Sequence, residues 1–147
     1  MIKIAVMGYG TIGSGVVEVL ETNRDSIAKR VGEEVEVKYV LDLRDFPGDP
    51  IEKKIVHDYK DITADEEVKI VVETMGGVEP AFTLVNEILV AGNSVTTSKK
   101  ALVAEKGAEL LAVAKEKNVN FMFEASVGGG IPIIRSINEC LTADKIE

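Results

Sequence analysis

Residues Met7-Gly8-Tyr9-Gly10-Thr11-Ile12-Gly13-Ser14-Gly15 constrain this chain more than any other stretch. They follow an apolar run, Ile2 to Val6, and precede a helical pattern. In that order of strand, glycine turn and helix, each glycine has a separate task. Gly8 permits a tight turn, Gly10 lets backbone approach a ligand with no Cβ in the way, and Gly13 lets the helix pack closely on the strand. Thr11, Ile12 and Gly13 open the helix, whose free N–H groups and partial positive charge suit an anion. The arrangement is what a pyrophosphate needs, and it points to a dinucleotide.

The rest of the chain alternates between strand and helix, which predicts a parallel sheet covered on both faces. Ile2–Met7 reads as the first strand. Ile12, Val16, Val19 and Leu20 give Thr11–Leu20 an amphipathic helical stripe. Ile27 and Val31 continue its phase toward Gly32, a candidate cap. Val35, Val37, Tyr39 and Leu41 mark a second strand, Arg44 to Ile51 a loop, and Ile55–Val56 a short third strand. Lys69–Glu73 is a buried type of strand. A helix follows, with Pro80 in its first turn, Val78, Phe82, Val85 and Leu89 on its apolar side and Gly92 at its end. Ser94–Thr97 is the fifth strand. One helical segment begins near Lys99 and another spans Gly107 to Lys117, with Leu110, Leu111 and Ala114 inward. Val119–Phe123 is the sixth strand, and Pro132 opens a last helix with Ile134, Ile137 and Leu141 on one face. The expected fold is α/β: a Rossmann-type, doubly wound, mostly parallel six-stranded sheet of order 3-2-1-4-5-6, with helices on both faces and right-handed crossovers.

Composition removes several classes of function. A net charge of −8 opposes nucleic acid and anionic membrane surfaces as partners. The apolar runs fall far short of the roughly 20 residues a membrane span needs. Met1 leads directly into the first strand, so no secretory leader is expected. The single cysteine, Cys140, excludes an internal disulfide, reads as a small core residue and fits a reducing cytoplasm. No Cys/His cluster has the spacing of a zinc or iron site, and His57 reads as a solvated loop residue.

In doubly wound sheets ligands bind beyond the carboxyl ends of the strands, so the residues just after each strand carry the functional reading. After the second strand comes Asp42, which can accept bonds from ribose hydroxyls and repel a 2′-phosphate, favouring NAD. Arg44, Lys53 or Lys54 can instead hold that phosphate, favouring NADP. After the fourth strand, Thr74-Met75-Gly76-Gly77 lets backbone crowd a flat ring or ribose. After the fifth, Thr97 or Ser98 can cap a helix, while Lys99 and Lys100 oppose its dipole. That field favours a neutral amine suited to proton transfer. After the sixth comes Glu124 and then Gly128-Gly129-Gly130, which suggests backbone close to a ligand, carbonyls turned toward an ion, or a hinge.

Three of these segments together resemble homoserine dehydrogenase: Gly8-x-Gly10-x-x-Gly13; Thr97-Ser98-Lys99-Lys100-Ala101-Leu102-Val103-Ala104 followed by Gly107; and Glu124-Ala125-Ser126-Val127-Gly128-Gly129-Gly130-Ile131-Pro132-Ile133. The last two are far more specific than the first, and the resemblance covers essentially the whole chain. It implies interconversion of aspartate semialdehyde and homoserine with NADPH or NADH, on the route to threonine and methionine, in a homodimer. The lysine of the family's Thr-Ala-Asn-Lys-Ala-Leu motif, near nicotinamide and substrate, matches Lys100, with Lys99 standing where Asn is usual. The Gly76-Gly77 pair matches one that lies against the nicotinamide ribose after the family's fourth strand, so Met75 and Gly76 are expected to touch the cofactor. The backbone carbonyls of Glu124, Val127, Gly129 and Ile131 match those lent to a monovalent cation such as sodium. Where NADP-using relatives place Arg after the second strand, this chain reads Leu41-Asp42-Leu43-Arg44.

The resemblance further implies a division at residues 1–130, the dinucleotide-binding domain, and 131–147, a helix leading to a substrate and dimerisation domain beyond Glu147. The apolar sides of the sixth strand and last helix are then expected to meet that domain or a partner subunit. These residues alone are expected to bind cofactor without turnover. Two rival readings are a different two-domain oxidoreductase, such as a sugar or dihydrodipicolinate-type reductase, and a non-catalytic nucleotide-sensing module. The Glu124–Pro132 run speaks against the first and the apolar last helix against the second.

Overall fold

The computed structural model describes residues 1–140. Its centre is β1 (Ile2–Met7), flanked in parallel by β2 (Val35–Leu41) and β4 (Val68–Glu73). β3 (Ile55–Val56) pairs with β2 on one side; β5 (Ser94–Thr97) and β6 (Phe121–Met122) extend the other. All these pairings are parallel, and the six strands run in the order β3-β2-β1-β4-β5-β6. The chain leaves β1 in opposite directions toward β2 and β4, so a crevice opens beyond their carboxyl ends.

Alternation along β1 builds two cores. Ile4 and Val6 pack with Val17, Val37, Val40 and Ile51 on one face. Ala5 and Met7 pack on the other with Ile62, Val71, Val85, Leu102 and Phe121. A strand buried on both sides must be apolar, as β1 is over its buried stretch from Ile4 to Met7, and its one charged residue, Lys3, lies before that stretch. Helices α1 (Thr11–Thr22) and α2 (Arg24–Val31) follow β1; α3 (Lys60–Thr63) precedes β4; α4 (Glu79–Val90) and α5 (Lys100–Lys117) follow β4 and β5 and pack together; α6 (Ile134–Cys140) follows β6.

Several details correct the sequence reading. The inward stripe of α1 is Gly13, Val16, Val17 and Leu20, and Ile12 and Val19 are exposed. The helix is rotated because Gly13 is the point of contact with the strand turn, and apolar size alone does not register that. The first helix does not run to Gly32. It ends at Asn23, whose side chain and N–H both bond the Val19 carbonyl at 3.0 Å, and α2 is a separate helix that Gly32 closes at φ +87°. Helix α5 is continuous where two segments were expected, because Gly107 is buried inside it and costs little when packed. Leu110 and Ala114 face inward, but Leu111 is exposed. The Arg44–Ile51 loop ends in a 3-10 turn, Pro50–Lys54, that Asp49 caps through Ile51 N–H at 2.9 Å. β6 is shorter than Val119–Phe123, and β4 begins at Val68. The last helix begins at Ile134, two residues after Pro132; Ile137 lies on it, and Leu141 falls outside the described residues. Cys140 is exposed, not buried. Met122, Val127, Ile131, Ile133 and Ile137 are also exposed at this end of the molecule.

Candidate dinucleotide-binding site

Gly8 turns the chain out of β1 at φ +93°, a conformation that favours glycine. Its N–H bonds the Leu41 carbonyl at 2.8 Å, holding the turn against the end of β2. A Cβ on Gly13 would lie 1.8 Å from the Gly8 carbonyl oxygen, so helix and turn touch through backbone. Gly10 is the N-cap of α1 and has open space where a Cβ would stand. No side chain caps this helix start and no acid occupies its first turn. The N–H groups of Thr11, Ile12 and Gly13 are therefore offered without a competing protein anion.

The turn opens onto a cleft of about 690 Å³. Gly8, Gly10, Asp42, Arg44, Met75 and Gly76 line it together, as do Thr74, His57 and Tyr59. Thus the residues expected after the first, second and fourth strands converge on one space. The volume lies within the range of small-molecule and cofactor sites, roughly 300–1,000 Å³. A Gly8–Gly13 contact that admits no Cβ on Gly13, an uncapped helix start and a cleft of this volume fit a dinucleotide.

At the β2 end, Asp42 accepts the Tyr9 N–H at 2.8 Å and meets the Arg44 guanidinium with both carboxylate oxygens, each at 3.0 Å. Arg44 also donates to the Tyr9 carbonyl at 3.2 Å, bridging the glycine turn. The Arg44 guanidinium, followed by the backbone N–H groups of Tyr9 and Arg44, holds the Asp42 carboxyl well below the usual carboxylate range. Tyr9 and Phe46 pack edge to face with centroids 5.0 Å apart, and Arg44 lies over the Phe46 ring. His57 is not simply solvated: its Nδ1 lies 2.7 Å from the Asp42 carbonyl and its Nε2 3.1 Å from Asp45.

The β4 and β5 ends are joined by a group the sequence reading missed. Glu73 is fully buried; its carboxyl group accepts from Met75 N–H at 2.7 Å and from the Thr97 hydroxyl. Thr97 in turn accepts the Lys99 N–H at 2.9 Å, and the Ser126 hydroxyl donates to its carbonyl at 3.1 Å. Neither Thr97 nor Ser98 caps α5, whose N-cap is Lys99 with no side-chain bond. The Lys99 ammonium reaches across to the Met75 carbonyl at 2.9 Å, while Lys100 is exposed on the first turn of α5. Thr74, expected only as part of the backbone turn after the fourth strand, has a side-chain role as well: its hydroxyl is shared between the Met7 and Gly8 carbonyls, each at 2.9 Å. A carboxylate ending a buried strand was the available signal for Glu73; the bonds of the Thr74 hydroxyl left none in the sequence.

Beyond β6, Gly128 and Gly129 have φ of +75° and +60°. The Glu124 side chain turns to the start of α6 and accepts N–H bonds from Ile133, Ile134 and Arg135. These bonds, that of Arg135 foremost, hold its carboxyl below the usual range. The Glu124 carbonyl accepts Val127 N–H at 3.2 Å. Val127, Gly129 and Ile131 are exposed around this loop, outside the cleft.

Sheet order, glycine turn and cleft define the class: a dinucleotide-binding domain of the oxidoreductase type. The chain belongs to the homoserine dehydrogenase family, since residues 8–124 match the family model described as homoserine dehydrogenase, NAD binding domain. It is 40% identical over 146 residues to the homoserine dehydrogenase of Pseudomonas aeruginosa, covering 99% of this chain and 34% of that protein. Against the Lactococcus lactis enzyme it is 38% identical over 153 residues, covering 99% and 35%. A homoserine dehydrogenase structure from Thiobacillus denitrificans superposes with a TM-score of 0.89 at 39% identity, covering 99% of this chain and 34% of that one. The chain thus spans about a third of the length of the relatives it matches.

Proposed function

We propose that these residues form the cofactor-binding third of a homoserine dehydrogenase that interconverts aspartate semialdehyde and homoserine in threonine and methionine biosynthesis. The observation that carries this is the single cleft joining the glycine turn to the β4 end. A bound nicotinamide cofactor would supply or take up the hydride of the aldehyde–alcohol interconversion. Thr11, Ile12 and Gly13 would hold pyrophosphate through backbone N–H groups. Met75 and Gly76 would shape the nicotinamide end, kept in place by Glu73, Thr97 and the Lys99 ammonium. Lys99 is thereby assigned an anchoring role. Lys100, exposed beside Ser98, is assigned the polarising or protonating role at the substrate oxygen.

Asp42 and Arg44 hold opposite preferences at the ribose. Hydroxyls would compete with Arg44 for the Asp42 carboxylate, and a 2′-phosphate would draw Arg44 away from it. The carbonyls of Glu124, Val127, Gly129 and Ile131 would accept a sodium ion. Residues 1–130 form the dinucleotide-binding unit and 131–147 lead to a substrate domain, through which the enzyme pairs as a cytoplasmic homodimer.

Calorimetric titration of the chain with NADH and NADPH tests the reading. Binding of either at one site, weakened by changes at Gly10, supports it; no binding of either sinks it. Asp42→Ala shifts preference toward NADPH and Arg44→Ala toward NADH. Homoserine oxidation by these residues alone would contradict the assigned division of labour.

A further inference from the structure

We propose that His57 is a specificity-determining residue: its protonation tilts the ribose end of the cleft toward 2′-phosphorylated nucleotides. The inference rests on the reading of this cleft as a cofactor site.

Register brings His57 to the place. β3 pairs with the end of β2, Leu41 opposite Val56, and Asp42 N–H bonds the Val56 carbonyl at 3.2 Å. The residue after each strand, His57 and Asp42, therefore stands at the same carboxyl edge, and both line the cleft. The two ring nitrogens of His57 face partners that only accept: the Asp42 carbonyl at 2.7 Å and the Asp45 carboxylate at 3.1 Å. A neutral imidazole carries one N–H and serves one of them; the imidazolium serves both. The Asp42 carbonyl first, then the Asp45 carboxylate, raise the histidine above its ordinary value.

The local charge makes that proton matter. The groups facing His57 are Asp42, Arg44 and Asp45 from the segment after β2, and its own neighbour Asp58, which also lines the cleft. Arg44 is the cation among them, and it is already paired with Asp42. A 2′-phosphate dianion entering here meets an excess of carboxylate when His57 is neutral. Arg44 holds the Asp42 carboxyl well below the usual carboxylate range, and imidazole is the side-chain group whose ordinary pKa falls within about pH 5 to 8, so His57, the single histidine of the chain, is the switchable charge of this cluster. The sign follows: as pH falls and His57 gains its proton, affinity for the 2′-phosphate rises relative to the 2′-hydroxyl.

The probes are 2′,5′-ADP and 5′-AMP, titrated calorimetrically into the whole chain from about pH 6 to about pH 8.5, a range spanning the histidine transition. Each protein is wild type, His57→Gln or His57→Lys, with folding checked by circular dichroism. The phosphate's own titration is common to all three proteins and cancels in the comparison. In wild type, the preference for 2′,5′-ADP rises several-fold toward low pH relative to His57→Gln. His57→Lys holds the higher preference across the range. Equal pH slopes in wild type and His57→Gln, with both nucleotides bound, overturn the inference and leave the cofactor reading standing. Binding of neither nucleotide at any pH overturns both.

Discussion

Gly13 has no side chain because there is no room for one. The Gly8 carbonyl oxygen lies 1.8 Å from where a Cβ would stand, and the Thr74 hydroxyl 2.9 Å from it. Both are fixed, the carbonyl by the turn and the hydroxyl by its bonds to Met7 and Gly8. Gly13→Ala must therefore separate helix from strand. Its expected cost is at least the roughly 1–3 kcal/mol of overpacking, read in chemical denaturation, together with loss of NADH binding in titration. Gly10 provides the contrast. Its Cβ position is open, so Gly10→Ala leaves the denaturation midpoint nearly unchanged while weakening binding. At the end of β5, buried behind the residues that line the cleft, Thr97 supplies the one side-chain donor to the buried Glu73 carboxyl among the described residues. Thr97→Val keeps the shape and removes that donor, leaving a buried acceptor short of a partner, at an expected cost of about 1–3 kcal/mol. Thr97→Ser retains the hydroxyl and most of the stability. Equal destabilisation by Val and Ser would show that the methyl group, not the bond, matters.

Helix α6 is short, and what fixes its start is a side chain from another element. Glu124, beyond β6, takes the N–H groups of Ile133, Ile134 and Arg135, which have no intrahelical acceptor. The Gly128–Gly129 turn brings the two together with positive φ at both positions. Glu124→Ala is expected to free those three amides, seen as faster hydrogen exchange there with the strands unaffected. Glu124→Gln, which keeps one acceptor oxygen, is expected to lie between. At this scale the sequence was legible where an element is built from its own residues. Strand β1 follows from a largely apolar run that ends at a glycine turn, and β2 from alternating apolar residues that end at Asp42. It was less legible where a distant contact decides. The rotation of α1 is set by the close approach at Gly13, the unity of α5 by burial of Gly107, and the start of α6 by Glu124. None of these leaves a periodic trace. The cleft shows the same division: the glycines, Asp42, Arg44, Met75 and Gly76 could be placed from strand ends, whereas the Glu73–Thr97–Met75 bonds needed neighbouring strands in register.

Across the whole molecule, carboxyl groups are held ionised by the folded structure at separate places. Asp65 is paired with Lys38 at 2.5 Å, accepts the Tyr39 hydroxyl at 2.8 Å and accepts the Glu67 N–H at 3.0 Å. The Lys38 ammonium, then the Tyr39 hydroxyl, bring its pKa down to about 2. Asp42, Glu36 and Glu124 are shifted in the same direction, by Arg44, by Lys3 and by the α6 amides respectively. A carboxyl whose folded pKa lies below its unfolded value binds fewer protons in the folded state. The stability it contributes is present above the unfolded pKa, about 4, and is lost as pH falls through the folded value. Acidification also relieves the repulsion within a chain of net charge −8, but the unfolded chain gains much of that relief as well, so the specific pairs set the sign. The urea midpoint is thus expected to be nearly level from about pH 7 to about pH 5 and to drop below about pH 4. Asp65→Asn removes one of these groups, so its profile should start lower at neutral pH and fall less steeply in acid. A wild-type midpoint that rises on acidification below about pH 4 would mean that relief of net charge dominates over the pairs.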